Sequence, residues 1–152
     1  MSEPGRPRLL TYADYAALPD DGHRYQLLEG ELVMTPSPNA WHQAVSREIF
    51  VGLVQFVRLH GLGDVFAAPL DVTLSDRIVL QPDILYISKE RAGILQGGRV
   101  LGAPDLCVEI LSPGTERLDR VRSIASYDGP FRPAAFPGFE FRLSVVPLPA
   151  GF

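Results

Sequence analysis

A chain of 152 residues with 46% hydrophobic and 21% charged residues is large enough to bury one core without covalent or metal staples. Its single cysteine, Cys107, excludes an internal disulfide and a cysteine-built zinc site. The formal net charge of −4 excludes coating of nucleic acid by electrostatics alone. The opening MSEPGRPRLL lacks the apolar stretch of a secretory signal. The longest mostly apolar run, Ile49 to Val57, is too short to span a bilayer and contains Gln55. A cytoplasmic address without membrane contact is expected.

In chain order, Thr11 to Asp14 reads as a capping box, with a short helix to follow and a stop at Pro19. Arg24 to Leu28 and Glu31 to Met34 read as two strands joined at Glu29-Gly30, a two-residue hairpin signal. The strongest helix is predicted from about Trp41 to His60, ending at Gly61. Trp41, Val45, Ile49, Leu53, Phe56 and Val57 recur there at helical spacing and mark its core face. Asp64 to Leu74 reads as a strand pair broken at Pro69, and Ile78 to Ser88 as a β region interrupted by Pro82. Gly97-Gly98 reads as a loop.

Leu106 to Leu111 is a continuous apolar run holding one acid, the mark of a strand buried on both faces. Cys107 is expected to be a small buried residue there. Thr115 to Tyr127 can form a second helix carrying Arg117, Arg120 and Arg122, with Glu116 and Asp119 interleaved as on a solvated face. The remaining 128–152 changes character, with five prolines, three glycines and five phenylalanines. This order of elements predicts an α/β fold: a central mixed β-sheet flanked by helices, over 1–127. The Pro/Phe-rich 128–152 reads as an irregular tail, a truncated or altered end of the same domain.

Glu109 is the most informative residue. A carboxylate in a buried strand needs a partner, because desolvation otherwise drives it to protonate. An arginine, a metal ion or a second acid sharing a cation would serve. Asp83, after Pro82 at the entry to the run Ile84-Leu85-Tyr86-Ile87, is the candidate second acid; a turn-forming Asp after proline is the alternative. Two carboxylates brought together from neighbouring strands favour a hard divalent cation such as Mg²⁺ or Mn²⁺.

Pro82-Asp83 followed by Val108-Glu109-Ile110-Leu111-Ser112-Pro113 resembles the Uma-type restriction endonuclease family of the PD-(D/E)xK nuclease superfamily. Tyr25 to Leu32, Ser37-Pro38 to His42-Gln43, Gly61 to Val72 and Gly102 to Leu106 add to the resemblance, which extends from Tyr12 to about Tyr127. It implies a restriction-endonuclease-like core, a homodimer, DNA as substrate and hydrolysis of its phosphodiester bonds. Asp83, Glu109 and the carbonyl of Ile110 would hold Mg²⁺ or Mn²⁺, with Asp83 and Glu109 as the catalytic carboxylates. His42 and Glu31 match further family positions, and Asp71 is a further acid that could join the site or pair with an arginine.

The chain departs from that pattern twice. The superfamily lysine would fall at Leu111, and the related family carries it instead on the next helix, where this chain has Ser123 beside Arg122. Lys89 is the sole lysine among 14 basic residues, and an arginine stays protonated and cannot serve as a base. The family also favours glutamate where Gln26 stands. A nuclease fold with a damaged site, acting as a nucleic-acid or protein binding module, therefore stays open beside the active enzyme. His23 and His60 read as exposed residues at a turn and a helix end.

Overall fold

A computed structural model describes residues 8–110. The expected helix at Thr115–Tyr127 and the tail 128–152 lie outside the described residues, as do Leu111, Arg122 and Ser123. Within them the chain runs α1 (Tyr12–Ala16), β1 (Arg24–Leu28), β2 (Glu31–Thr35), α2 (Ala40–His60), β3 (Gly63–Ala67), β4 (Val72–Ser75), β5 (Ile78–Leu80), β6 (Ile84–Ser88), β7 (Leu95–Gln96), β8 (Arg99–Leu101) and β9 (Leu106–Val108). A 3₁₀ helix, Lys89–Ile94, links β6 to β7.

Local chemistry sets several boundaries. Asp14 Oδ2 accepts hydrogen bonds from the backbone N–H and the hydroxyl of Thr11, each at 2.9 Å, which fixes the first turn of α1. Glu29 and Gly30 both take positive φ, 51° and 85°, as a hairpin turn of two residues demands. Gly30 also has to lack a side chain, since a Cβ there would stand 2.8 Å from that of Leu9. Asn39 caps α2 by accepting from the His42 N–H at 2.8 Å, and Gly61 ends it in the left-handed region at φ 60°.

The strands form two sheets. The larger is mixed, in the order β2-β1-β5-β4-β8-β7, with β4 and β8 parallel; the smaller is antiparallel, β3-β6-β9. β6 is the middle layer. Its Ile84 and Tyr86 pack against Val45, Ile49, Leu53 and Val57 of α2. Its Leu85 and Ile87 meet Val72 of β4 and Val100 of β8 in the larger sheet. Leu53, Ile84 and Val100 have no exposed surface, and burying each such side chain contributes about 1.5–3 kcal/mol. The helical spacing from Val45 to Val57 thus places the core as expected, with Trp41 and Phe56 partly buried beside it.

Three expectations are corrected. Residues 64–74 do not make a strand pair, because β3 joins the smaller sheet and β4 the larger. The strand buried on both faces is β6, whose first four residues are buried, and not the run at Leu106. β9 forms the edge of its sheet among the described residues, so Cys107 is exposed and Glu109 is only partly buried. No helix among the described residues is long and apolar enough to cross a membrane.

Candidate metal and phosphodiester site

The antiparallel pairing of β6 with β9 matches Ile84 to Val108 and Leu85 to Cys107. Continued one step beyond Ile84–Val108, the same register would bring Asp83 opposite Glu109. Opposed residues of an antiparallel pair project to the same face. The two segments are tied at this point: the buried Ile110 donates its backbone N–H to Asp83 Oδ2 at 2.8 Å. On its other side, the Asp83 carbonyl accepts from the Ala68 N–H at 2.9 Å, which continues the β3–β6 ladder and fixes the backbone that carries this carboxylate.

α2 contributes a third group. His42 lies in its first turn, and its Nε2 stands 3.1 Å from Asp83 Oδ2, with side-chain exposures of 14% and 13%. His42, singled out by its match to a family position, is thus turned toward Asp83 and not toward solvent. The Asp83 carboxylate raises the pKa of His42 above its usual 6.5, against desolvation and the Arg24 charge, with a further contribution from Glu109. Because the folded pKa lies above the unfolded one, the pair stabilises the fold fully below about pH 6.5. That contribution is lost as pH rises through the folded value. In an NMR titration without divalent metal, the His42 ring should therefore titrate above 6.5, and Asp83→Asn should lower its midpoint. A midpoint that Asp83→Asn leaves in place would break this assignment.

Gln26, whose residue is 7% exposed, accepts from the Gln81 N–H at 3.1 Å and donates to Thr35 Oγ1 at 3.1 Å. It braces β1 against the turn that leads to Asp83. Asp71 does not pair with an arginine among the described residues: its Oδ1 accepts from Tyr15 at 3.0 Å and from Gln81 at 2.8 Å. Glu31 is exposed at the hairpin end of β2, opposite Leu28, without a hydrogen bond or ion pair among the described residues. Lys89 is exposed at the far end of β6, a strand length of roughly 17 Å from Asp83. His23 and His60 are exposed, as expected.

Arg24 is the participant that the sequence reading missed. Its charge is felt at His42, and its Nε donates to Gln81 Oε1 at 3.1 Å. The available signal was its position two residues before Gln26 on one strand. Cys107 is no candidate nucleophile. Although the residue is exposed, desolvation of the thiol, with the Glu109 charge second, pushes it up to about 11, so the reactive thiolate is scarce.

Among the described residues no cluster of three or more His, Cys, Asp or Glu could hold a metal ion. A pair of carboxylates with a backbone carbonyl is a smaller set of hard oxygens. It fits Mg²⁺, which binds through one or two carboxylates and keeps several waters. Asp83 Oδ1 accepts no hydrogen bond among the described residues and is available as one such donor.

A family model, Uma2, described as "Putative restriction endonuclease", matches residues 12–130. A crystal structure of a putative nuclease belonging to DUF820 from Anabaena variabilis shares the fold, with a TM-score of 0.62 at 24% identity. The match covers 74% of this chain and 64% of that one, so this chain spans somewhat less than two thirds of its length. No curated protein matches.

Proposed function

Because the chain belongs to the Uma2 restriction endonuclease family, we propose that it hydrolyses DNA phosphodiester bonds, as a homodimer, with Mg²⁺ or Mn²⁺ held by Asp83, Glu109 and the carbonyl of Ile110. The observation that carries this reading is the 2.8 Å bond from Ile110 N–H to Asp83, which joins the two motif segments at one point. A cation held there would polarise the phosphate and lower the pKa of an attacking water. The chain's own groups do the rest. Ile110 N–H orients the Asp83 carboxylate. His42, with its raised pKa, holds a proton at Nε2 beside Asp83, and Arg24 adds fixed positive charge for the phosphate.

A second reading, a nuclease fold that binds without cutting, is favoured by Gln26. Its amide is buried and engaged in structure at a position where relatives carry glutamate. A plasmid nicking assay decides between them. Slow cleavage that needs Mg²⁺ or Mn²⁺ and disappears in Asp83→Asn is the expected result. Cleavage that persists in a chelator would exclude the metal-dependent mechanism.

A further inference from the structure

A cleft of about 380 Å³ opens between α1, the start of β1 and the residues leading into β4 and β6. Tyr12, Tyr15 and His23 bring rings to its lining, and Arg24, Asp71 and Gln81 bring charge and amide groups. It neighbours the carboxylates, since Gln81 lies two residues before Asp83 and the Arg24 charge is felt at His42. Its volume lies within the ~300–1,000 Å³ range of sites for small ligands. That is room for one nucleotide and not for a duplex.

The lining is held in place before any ligand arrives. Tyr15 and Gln81 converge on Asp71 Oδ1, and the Arg99 guanidinium sits 3.6 Å from the centroid of the Tyr12 ring. Arg24 is anchored through Nε to Gln81, which leaves its two terminal amino groups without a hydrogen bond or ion pair among the described residues. Fixed rings next to a guanidinium whose terminal amino groups are unengaged among the described residues suit a planar base with its phosphate, while Tyr15 and Gln81 hold the Asp71 carboxylate. Stacking also supplies affinity that a net charge of −4 does not.

We propose that this cleft holds one unpaired nucleotide of a DNA strand, its base against the Tyr12–Tyr15 wall and its phosphate toward Arg24. The inference rests on the nuclease reading and narrows its substrate class to single-stranded or locally unpaired DNA. The test is fluorescence anisotropy in a chelator, with a labelled single-stranded deoxyoligonucleotide, the matching duplex, and dAMP as competitor. The strand should bind at least ~10-fold more tightly than the duplex. Tyr15→Ala should weaken strand binding by about 5- to 150-fold, the range for losing one stacked base. Tyr15→Phe, which keeps the ring but gives up the hydroxyl's bond to Asp71, should lose clearly less affinity than Tyr15→Ala.

Arg24→Gln should reduce the slope of log affinity against log salt by about 0.7, one phosphate contact on a single strand. This measurement decides the matter should Tyr15→Ala not fold. Equal affinity for strand and duplex, or a salt slope that Arg24→Gln leaves unchanged, would overturn the proposal. So would dAMP binding as tightly as the strand, which marks a site for free nucleotides. Strand binding that needs Tyr15, in a chain that never cuts, would uphold the cleft and remove the nuclease reading. Metal-dependent duplex cleavage without strand preference would do the reverse.

Discussion

Asp83→Asn should leave the protein folded and remove the rise in thermal midpoint that Mn²⁺ gives the wild type. Asparagine is the informative substitution because Asp83 has two duties. Its Oδ2 accepts from Ile110 N–H and meets His42. Alanine would orphan the N–H of buried Ile110, at a cost of about 1–3 kcal/mol, and mix loss of stability with loss of metal. The asparagine carbonyl can still accept that hydrogen bond, while the amide offers neither charge nor a second oxygen to a cation. At 100 times the dissociation constant, a ligand specific for the native state stabilises it by about 2.7 kcal/mol, a shift of several degrees for a domain of this size. Glu109→Gln should behave in the same way. Protonated His42 competes with a cation for Asp83, so Mn²⁺ should bind more tightly as pH rises through the His42 pKa. A midpoint unmoved by Mn²⁺ in the folded wild type would leave Asp83 as a partner of His42 and nothing more.

The candidate metal site depends on pairings that local sequence pattern reaches unevenly. Elements whose causes lie within a few residues were legible: the Thr11–Asp14 cap, the Glu29-Gly30 turn, and α2 with its buried stripe from Val45 to Val57. The motif resemblance singled out Asp83 and Glu109, and β6–β9 pairing with the Ile110 N–H bond to Asp83 brings their segments together. Sheet membership was not legible. β3 and β4 lie a few residues apart in the chain yet join different sheets, and neither periodicity nor turn chemistry encodes that choice. The same holds for burial. An apolar strand reads alike at the centre or the edge of a sheet, so the burial expected of the Leu106 run is found in β6 instead. His42 meets Asp83 across 41 residues, a contact that helical periodicity in α2 does not encode. Arg24 and Asp71 gained their neighbours from Gln81 and Tyr15, contacts that exist only once the sheet has formed.

Ser123→Lys should raise metal-dependent DNA cleavage by ~30- to 1,000-fold, which corresponds to about 2–4 kcal/mol for one added electrostatic group. Ser123 lies outside the described residues, and the case for it rests on the resemblance, which aligns it with the lysine of the relatives. The described site supplies part of the needed charge. Arg24 is a fixed charge felt at His42, whose own pKa Asp83 raises, but neither replaces a flexible ammonium at the attacking water. Lys89, at the opposite end of β6, is too distant to substitute. The assay compares nicking by wild type, Ser123→Lys, and Ser123→Lys with Asp83→Asn. Rescue in the single variant and its loss in the double would place the new lysine and Asp83 in one catalytic site. Wild-type cleavage as fast as that of Ser123→Lys would show that Arg122, Arg24 or His42 already fills the role; separate substitution of each would identify which. If Mn²⁺ binds and no variant cuts, the buried amide of Gln26 becomes the next position to change, since Gln26→Glu would supply the acid that the family resemblance implies there. Thr35 can accommodate that change by turning its hydroxyl to donate where it now accepts.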